Sequence, residues 1–180
     1  MKIIGISGSL RKASYNTSLL RALISLQPQA MEIEPIRLSG IPIYDGDDEK
    51  ATGKPATILE LDQKIRAADG VVFVTPEYNF SIPGGLKNAI DWLSRGSSPL
   101  KGKRVGIMGA SDGPMGTARS QYQLRQTLQS QESIVMPRPE IFVSTAHDKF
   151  DAEGTLTDAA TLERLKKWLK AFADWVEKKP

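Results

Sequence analysis

Short apolar runs alternate along this chain with longer stretches in which apolar residues recur every three or four positions. Ile3 to Ile6 reads as a buried strand, and Asn16 to Leu26 as a helix with Leu19, Leu20, Leu23 and Ile24 on one stripe and Pro28 beyond its end. Glu32 to Leu38 alternates polar and apolar residues, as a half-covered strand does. Ile41 to Lys54, rich in Pro, Gly and Asp, reads as a loop. Pro55 to Ala68 is the second helix, with Ile58, Leu61 and Ile65 at helical spacing. Val71 to Val74 is apolar throughout, the mark of a central parallel strand covered on both faces. A helix over Gly84 to Ser94, a strand over Val105 to Met108 and a helix over Thr117 to Leu128 follow. Ile134 to Met136 with Ile141 to Val143 supplies a last strand region, and Thr157 to Glu177 a closing helix with Leu162, Leu165, Leu169, Phe172 and Val176 on its stripe.

Strict β-α alternation predicts a parallel sheet with helices on both faces, joined by right-handed crossovers. Five strands suit the flavodoxin-like order 2-1-3-4-5, an α/β three-layer sandwich, better than the six-stranded dinucleotide fold. No repeat, low-complexity tract or linker interrupts the chain, so residues 1–180 read as one domain. In such a sheet, ligands bind beyond the carboxyl ends of the strands where the strand order reverses, here between the first and third strands. The loops at that point are Ser7 to Asn16 and Thr75 to Gly84, with Gly109 to Gly116 beside them.

The first loop, G-S-L-R-K-A-S-Y-N, combines a turn glycine with short hydroxyl and amide side chains and two basic residues. It ends at a helix N-terminus, where free N–H groups and the helix dipole favour an anion. It matches neither G-x-x-x-x-G-K-[ST] nor G-x-G-x-x-G. It reads either as a phosphate cradle or as plain capping of the helix by Ser14 or Asn16. The second loop, T-P-E-Y-N-F-S-I-P-G-G, is richer than a strand-to-helix connection requires. Tyr78 and Phe80 suit an aromatic ligand, and residues 77–79 have backbone groups to offer a heterocycle edge; the other reading is that both rings cover the edge of the core. Ser81 is a candidate cap for the next helix, with Pro83 in its first turn.

Composition narrows the chemistry. The 180 residues carry 40% hydrophobic and 25% charged side chains, ordinary for a globular protein with a full core. A net charge of +3, scattered along the chain, argues against nucleic acid but helps attract an anionic ligand. The absence of cysteine removes disulfides, thiol nucleophiles and thiolate metal sites. No apolar run approaches the ~20 residues of a membrane helix, and the start lacks the pattern of a signal peptide. These features predict a cytoplasmic protein. D-G-D-D-E at 45–49 lacks calcium-loop spacing and reads as solvated, or as a lid over the site. The single histidine, His147, reads as a surface residue well past the switch-point loops, without partners for a Ser-His-Asp arrangement. No metal site is expected. Lys87 and Asp91, four apart, are expected to pair, and Trp92 reads as core or subunit interface.

G-S-L-R-K-A-S-Y-N at 8–16 together with P-E-Y-N-F-S-I-P-G-G-L-K-N-A-I-D-W-L at 76–93 closely resembles the NADPH-dependent FMN reductase family, in its quinone, chromate and azo reductase branch. The resemblance spans nearly the whole chain. It implies an FMN-binding flavodoxin-like fold and a homodimer or homotetramer. It places Ser9, Arg11, Ser14 and Asn16 on the FMN phosphate, Pro76, Glu77, Tyr78 and Asn79 along the isoalloxazine, and Ser111 at a third flavin contact. Ala13 stands where relatives often carry glycine, and G-A-S-D-G-P-M-G at 109–116 follows the family less closely. Arg119, Tyr122 and Glu140 match positions that link subunits in the chromate-reductase branch; the other reading is a solvated helix and loop.

The function implied is an FMN-dependent NAD(P)H oxidoreductase that reduces quinones and other soluble acceptors (chromate, azo or nitro compounds, free flavin) by ping-pong hydride transfer. The flavin carries the hydride, so no side chain is expected to be catalytic. NADPH or NADH is the donor, with Arg11, Lys12 and Arg119 as candidates for a 2′-phosphate. The alternatives are a flavodoxin-type electron carrier, against which the slightly basic charge argues, and a ligand-sensing FMN-binding protein.

Overall fold

The computed structural model describes residues 1–178. Its sheet runs β2-β1-β3-β4-β5, all parallel, with β1 at Lys2–Ser7, β2 at Glu32–Arg37, β3 at Gly70–Val74, β4 at Arg104–Ala110 and β5 at Ile134–Val135. A sixth short strand, β6 at Ile141–Val143, also pairs with β4. The last strand region is therefore split. β5 lies against Arg104 and Val105, and β6 against Met108 to Ala110. Between them sits M-P-R-P-E, whose two prolines have no N–H to donate to a ladder.

Alternate residues of each central strand face opposite layers, which builds two cores from one sheet. Ile3, Val72, Val74 and Met108 pack under α1 (Tyr15–Ser25) and α6 (Ala159–Glu177), with Leu19, Leu23, Trp168 and Phe172. Ile4, Ile6, Val71, Phe73 and Ile107 pack under α3 (Ala56–Ala67), α4 (Gly84–Leu93) and α5 (Ala118–Ser130), with Ile58, Ile90 and Leu124. Trp168 lies fully buried and stacks on Phe172 at 4.8 Å between ring centroids. It belongs to the apolar stripe of α6 although the periodic leucines alone do not announce it. Gly106 makes its room: a Cβ there would lie 2.5 Å from the indole. Trp92 is core, 2% exposed, and its Nε1 donates to the Pro42 carbonyl at 2.9 Å.

The segment expected as a loop, Ile41 to Lys54, contains a seven-residue helix, α2 at Gly46–Thr52. Asp45 caps it by accepting the Asp47 N–H at 2.8 Å, and Asp47, Asp48 and Glu49 sit where the dipole favours negative charge. The acids stay solvated, as expected, and form the N-terminal turn of this helix. The preceding residues are strapped to α4: Tyr44 N–H donates to Asn88 Oδ1 and Asn88 Nδ2 to the Pro42 carbonyl, both at 2.8 Å. Residues 45–49 do not border the switch-point cleft.

At α6 the capping residue is Asp158, whose Oδ1 accepts the Thr161 N–H at 2.8 Å. Bonds from the Thr161 hydroxyl and backbone hold this carboxyl below its ordinary pKa. A depressed folded-state pKa means that its contribution is present above the unfolded value near pH 4 and is lost as pH falls through the folded one. Asp158→Ala is expected to cost about 1 kcal/mol at neutral pH, with the gap to wild type closing in acid; urea unfolding at pH 7 and pH 3 checks both.

Candidate functional site

Three strand-to-helix loops meet where the strand order reverses. The first leaves β1 with Gly8, whose N–H donates to the Val74 carbonyl at 2.9 Å and so ties β1 to the end of β3. Ser14 is the N-cap of α1, its hydroxyl accepting from the Asn16 and Thr17 N–H groups. Ser9 and Ser14 are buried at the base of the loop, whereas Arg11 and Lys12 are exposed. Capping and cradle are therefore compatible, because one serine caps while the basic side chains stay free at the rim.

Asn16 is buried, and its amide clamps the third loop. Its Nδ2 donates to the Ala110 carbonyl and its Oδ1 accepts the Ala110 N–H, both at 2.9 Å. One Nδ2 hydrogen remains for a ligand. The third loop is held further by Ser111 N–H on the Val143 carbonyl at 2.9 Å and by Ala146 N–H on the Ser111 carbonyl at 3.1 Å. Gly109 lets it approach the second loop, since a Cβ there would overlap the Thr75 carbonyl and the Thr117 hydroxyl.

The second loop is shaped from α5. Tyr78 and Ser81 exchange backbone hydrogen bonds at 3.1 and 2.9 Å around Asn79 and Phe80, which have φ of 50° and 65°. Two positive φ values in a two-residue connection are the signature of a type I′ turn. Asparagine tolerates that region; a bulky phenylalanine does so at a cost of order 1–3 kcal/mol. The compensating contacts come from α5. The Arg119 guanidinium lies 3.8 Å from the Phe80 ring centroid, and Gln123 Nε2 donates to the Phe80 carbonyl at 2.9 Å. Ser81 donates to Gln123 Oε1 at 2.5 Å instead of capping α4, whose N-cap position is Pro83.

Glu77 ties this loop to α5 most firmly. The helix begins after Thr117, which is left-handed and supplies no side-chain cap. The Glu77 carboxylate takes that role from a distance, accepting the Arg119 and Ser120 N–H groups at 3.1 and 3.2 Å and the Arg119 Nε at 2.6 Å. Its side chain is only 7% exposed. Ser120 Oγ donates to the Pro76 carbonyl at 2.9 Å.

These loops border one cleft of about 260 Å³. Ser9, Arg11, Ser14 and Asn16 line it from the first loop, Pro76, Glu77 and Tyr78 from the second, and Ser111 from the third. Asn79 stands apart in the exposed turn and does not border the cleft. Tyr15, Asp112 and Gly113 line it as well, beyond the residues to which the motifs point. Asp112 leads to a correction. Its Oδ1 accepts both the His147 backbone N–H and lies 3.1 Å from His147 Nδ1. The histidine is exposed, as expected, but it is one residue from the cleft and not remote from it. The β6-to-α6 loop folds back over the end of β4, a proximity that sequence separation conceals.

Of the residues expected between subunits, Tyr122 is 56% exposed on α5 and Arg119 is engaged by Glu77 within the chain. Glu140 is paired with Arg125 at 3.6 Å and Arg138 at 3.5 Å. Lys87 and Asp91 form the expected pair at 2.6 Å. Among the described residues no group of three or more His, Asp or Glu side chains is arranged to hold a metal, and no helix is long and apolar enough to cross a membrane.

A doubly wound parallel sheet of this order, with hydroxyls, an arginine and a tyrosine lining a switch-point cleft, is a flavodoxin-like framework. Residues 1–148 match the model of the NADPH-dependent FMN reductase family, and the chain belongs to that family. FMN and an NAD(P)H donor go with it. The NAD(P)H-dependent FMN reductase of Pseudomonas aeruginosa is 46% identical over 179 residues, covering 99% of this chain and 96% of that protein. The quinone reductase of Escherichia coli is 44% identical over 181 residues, with the same coverage. Among solved structures, the flavoenzyme NAD(P)H:(acceptor) oxidoreductase FerB of Paracoccus denitrificans superposes with a TM-score of 0.88 at 34% identity, covering 98% of this chain and 97% of that one.

The donor set fits the flavin. The first loop offers two serine hydroxyls, a guanidinium and a helix N-terminus, which together suit a phosphate. The second offers the backbone of residues 76–78, ahead of the turn at Asn79 and Phe80, and the half-exposed Tyr78 ring, which suit a planar heterocycle.

Proposed function

We propose that this chain is an FMN-dependent NAD(P)H oxidoreductase acting on quinones, with chromate, azo or nitro compounds and free flavin as further soluble acceptors. The observation that carries the reading is the single cleft shared by the phosphate-type loop after β1 and the backbone-rich loop after β3. When bound, FMN supplies hydride acceptance from NAD(P)H and donation to the acceptor.

The residues of the chain bind and orient. Ser9, Arg11 and Ser14 hold the phosphate. Asn16 sets the height of the third loop and contributes its remaining N–H. Pro76, Glu77 and Tyr78 form the wall against the ring, Asn79 sets the turn that presents Tyr78, and Ser111 closes the far side. With FMN bound, donor and acceptor would use the same cleft in turn, and ping-pong kinetics are the expected result. None of the cleft side chains is assigned a proton-transfer role.

The test is the visible spectrum of the FMN-loaded protein under anaerobic conditions. NADPH or NADH should bleach the bound flavin, and benzoquinone should restore it. A bound flavin left oxidised by both nucleotides would turn the assignment toward an electron carrier or a sensor.

We propose further that the chain forms a homodimer or homotetramer through the face carrying Arg119 and Tyr122, with Glu140 beside it. The exposed Phe80, Met115 and Tyr122 side chains near the start of α5 support this. Tyr122→Glu should lower the mass seen by analytical ultracentrifugation toward that of one chain. An unchanged oligomer in that variant would place the interface elsewhere.

A further inference from the structure

The phosphate end of the cleft is not the end of the concave surface. A groove of about 480 Å³ continues from it, sharing Arg11, Ser14 and Tyr15 with the cleft and running toward the turn at residues 151–154. Lys12 and Arg21 line it, together with the carboxylates of Asp151 and Glu153. The Arg21 guanidinium is fixed, its Nη2 donating to Ser18 Oγ at 2.8 Å and to the Gly154 carbonyl at 3.3 Å. Gly154, with φ of 77°, allows that approach, because a Cβ there would lie 2.8 Å from Arg21 Nη2. Among the described residues no carboxylate pairs with Arg11, Lys12 or Arg21. Three unpaired cations therefore follow one another from the cleft outward.

Beyond Arg21 the groove opens into a second hollow of about 230 Å³, with which it shares Ser18, Arg21, Glu153 and Gly154. The chemistry changes there. Ala22, Leu156 and Leu162 provide an apolar floor, and Ser25 and Thr155 a polar rim. A passage carrying three cations against two carboxylates, leading to a small hollow with apolar and polar lining, matches a phosphate chain followed by a purine nucleoside. It does not match a polyanion such as nucleic acid, for which the run of cations is too short.

We propose that this groove receives the adenosine-phosphate arm of a dinucleotide whose other half lies in the cleft. The proposal rests on the flavin reading of that cleft. The same chemistry is carried by the adenylate of FAD and by the adenosine half of NADPH. In the first case the protein accepts FAD as well as FMN, through the open phosphate end. In the second, Lys12 and Arg21 are the residues that read the donor's phosphates. Arg119, already held by Glu77, is then not needed for that task.

Three variants test it: Lys12→Ala, Arg21→Ala and Glu153→Gln, which removes one of the two carboxylates lining the same passage. Flavin-free protein is titrated with FMN and with FAD by flavin fluorescence, and FMN-loaded protein with adenosine 2′,5′-bisphosphate by calorimetry. If FAD is the occupant, Arg21→Ala and Lys12→Ala weaken FAD binding about tenfold, as expected for loss of one charge-assisted contact. FMN binding then stays within about twofold, and Glu153→Gln tightens FAD. If the donor is the occupant, FMN and FAD respond alike and the same fold-changes appear with adenosine 2′,5′-bisphosphate. If neither probe responds to any of the three variants, the proposal is wrong. Failure of the wild-type protein to bind FMN would instead count against the cleft assignment, and the bisphosphate titration would still decide the groove. The gain expected from Glu153→Gln separates a true effect from damage to the loop.

Discussion

Replacing Arg11 by alanine is expected to weaken FMN binding about 10- to 100-fold while leaving riboflavin nearly unaffected. A charge-assisted hydrogen bond to a phosphate is worth about 1.5–3 kcal/mol, and each 1.4 kcal/mol is a factor of ten in affinity. Arg11 is exposed and lines the cleft at the α1 end. Because it supports no buried structure, the loss should fall on the ligand and not on folding. Riboflavin carries the same ring without the phosphate, so the difference between the two flavins isolates the contact. Raising the salt concentration should narrow the difference in wild type, since an exposed cation is screened. Equal losses for both flavins would remove the phosphate from the α1 end, and with it the orientation of the flavin in the cleft.

The sequence makes the framework legible because its signals are local. Four-residue apolar runs such as Val71 to Val74 and stripes such as Leu19, Leu20, Leu23 and Ile24 fix strand and helix identity, and the β-α alternation leaves few topologies to choose among. The cleft is legible for a related reason: in this topology its location follows from strand order, so any chemistry on the loops after β1 and β3 must converge. What escaped is carried by contacts between residues far apart in the chain. Helix α2 was hidden by a composition of Gly and Asp that usually marks a loop, and it forms because Asp45 caps it and the strap from Pro42 and Tyr44 anchors it to α4. His147 is distant in sequence from the switch-point loops, yet the turn after β6 lays it against Asp112. Asn79 carries the family motif but sits in the turn, outside the cleft. Local pattern identifies a motif as a block; only the backbone tells which of its residues border the cleft and which shape the loop.

Glu77 shows this most clearly, and its removal is expected to have the largest structural effect of any single change at the site. Read as one of four residues along the ring, it is also the N-terminal cap of a helix 42 positions away. Glu77→Ala strips the acceptor from two backbone N–H groups and from the Arg119 side chain at once. Leaving such donors unsatisfied costs about 1–3 kcal/mol, and the lost interaction with the helix dipole adds to it. We expect a loss of about 2–3 kcal/mol, or about 5–10 °C in Tm for a chain of this size. The release of Arg119 also frees the strained turn at Phe80, so the wall that presents Tyr78 loosens. The flavin consequence should differ in kind from that of Arg11→Ala: FMN and riboflavin should weaken together, because the ring wall and not the phosphate contact is disturbed. Glu77→Gln keeps an acceptor for the helix N–H groups and should recover most of the stability. Arg119→Ala leaves the cap intact and should cost about 1 kcal/mol or less, as expected for an ion pair open to solvent on one side. Thermal unfolding of the three variants, with parallel titrations of both flavins, reads all of these. An alanine variant at position 77 as stable as wild type would mean that α5 finds its cap elsewhere and that the loop after β3 owes its shape to the sheet alone.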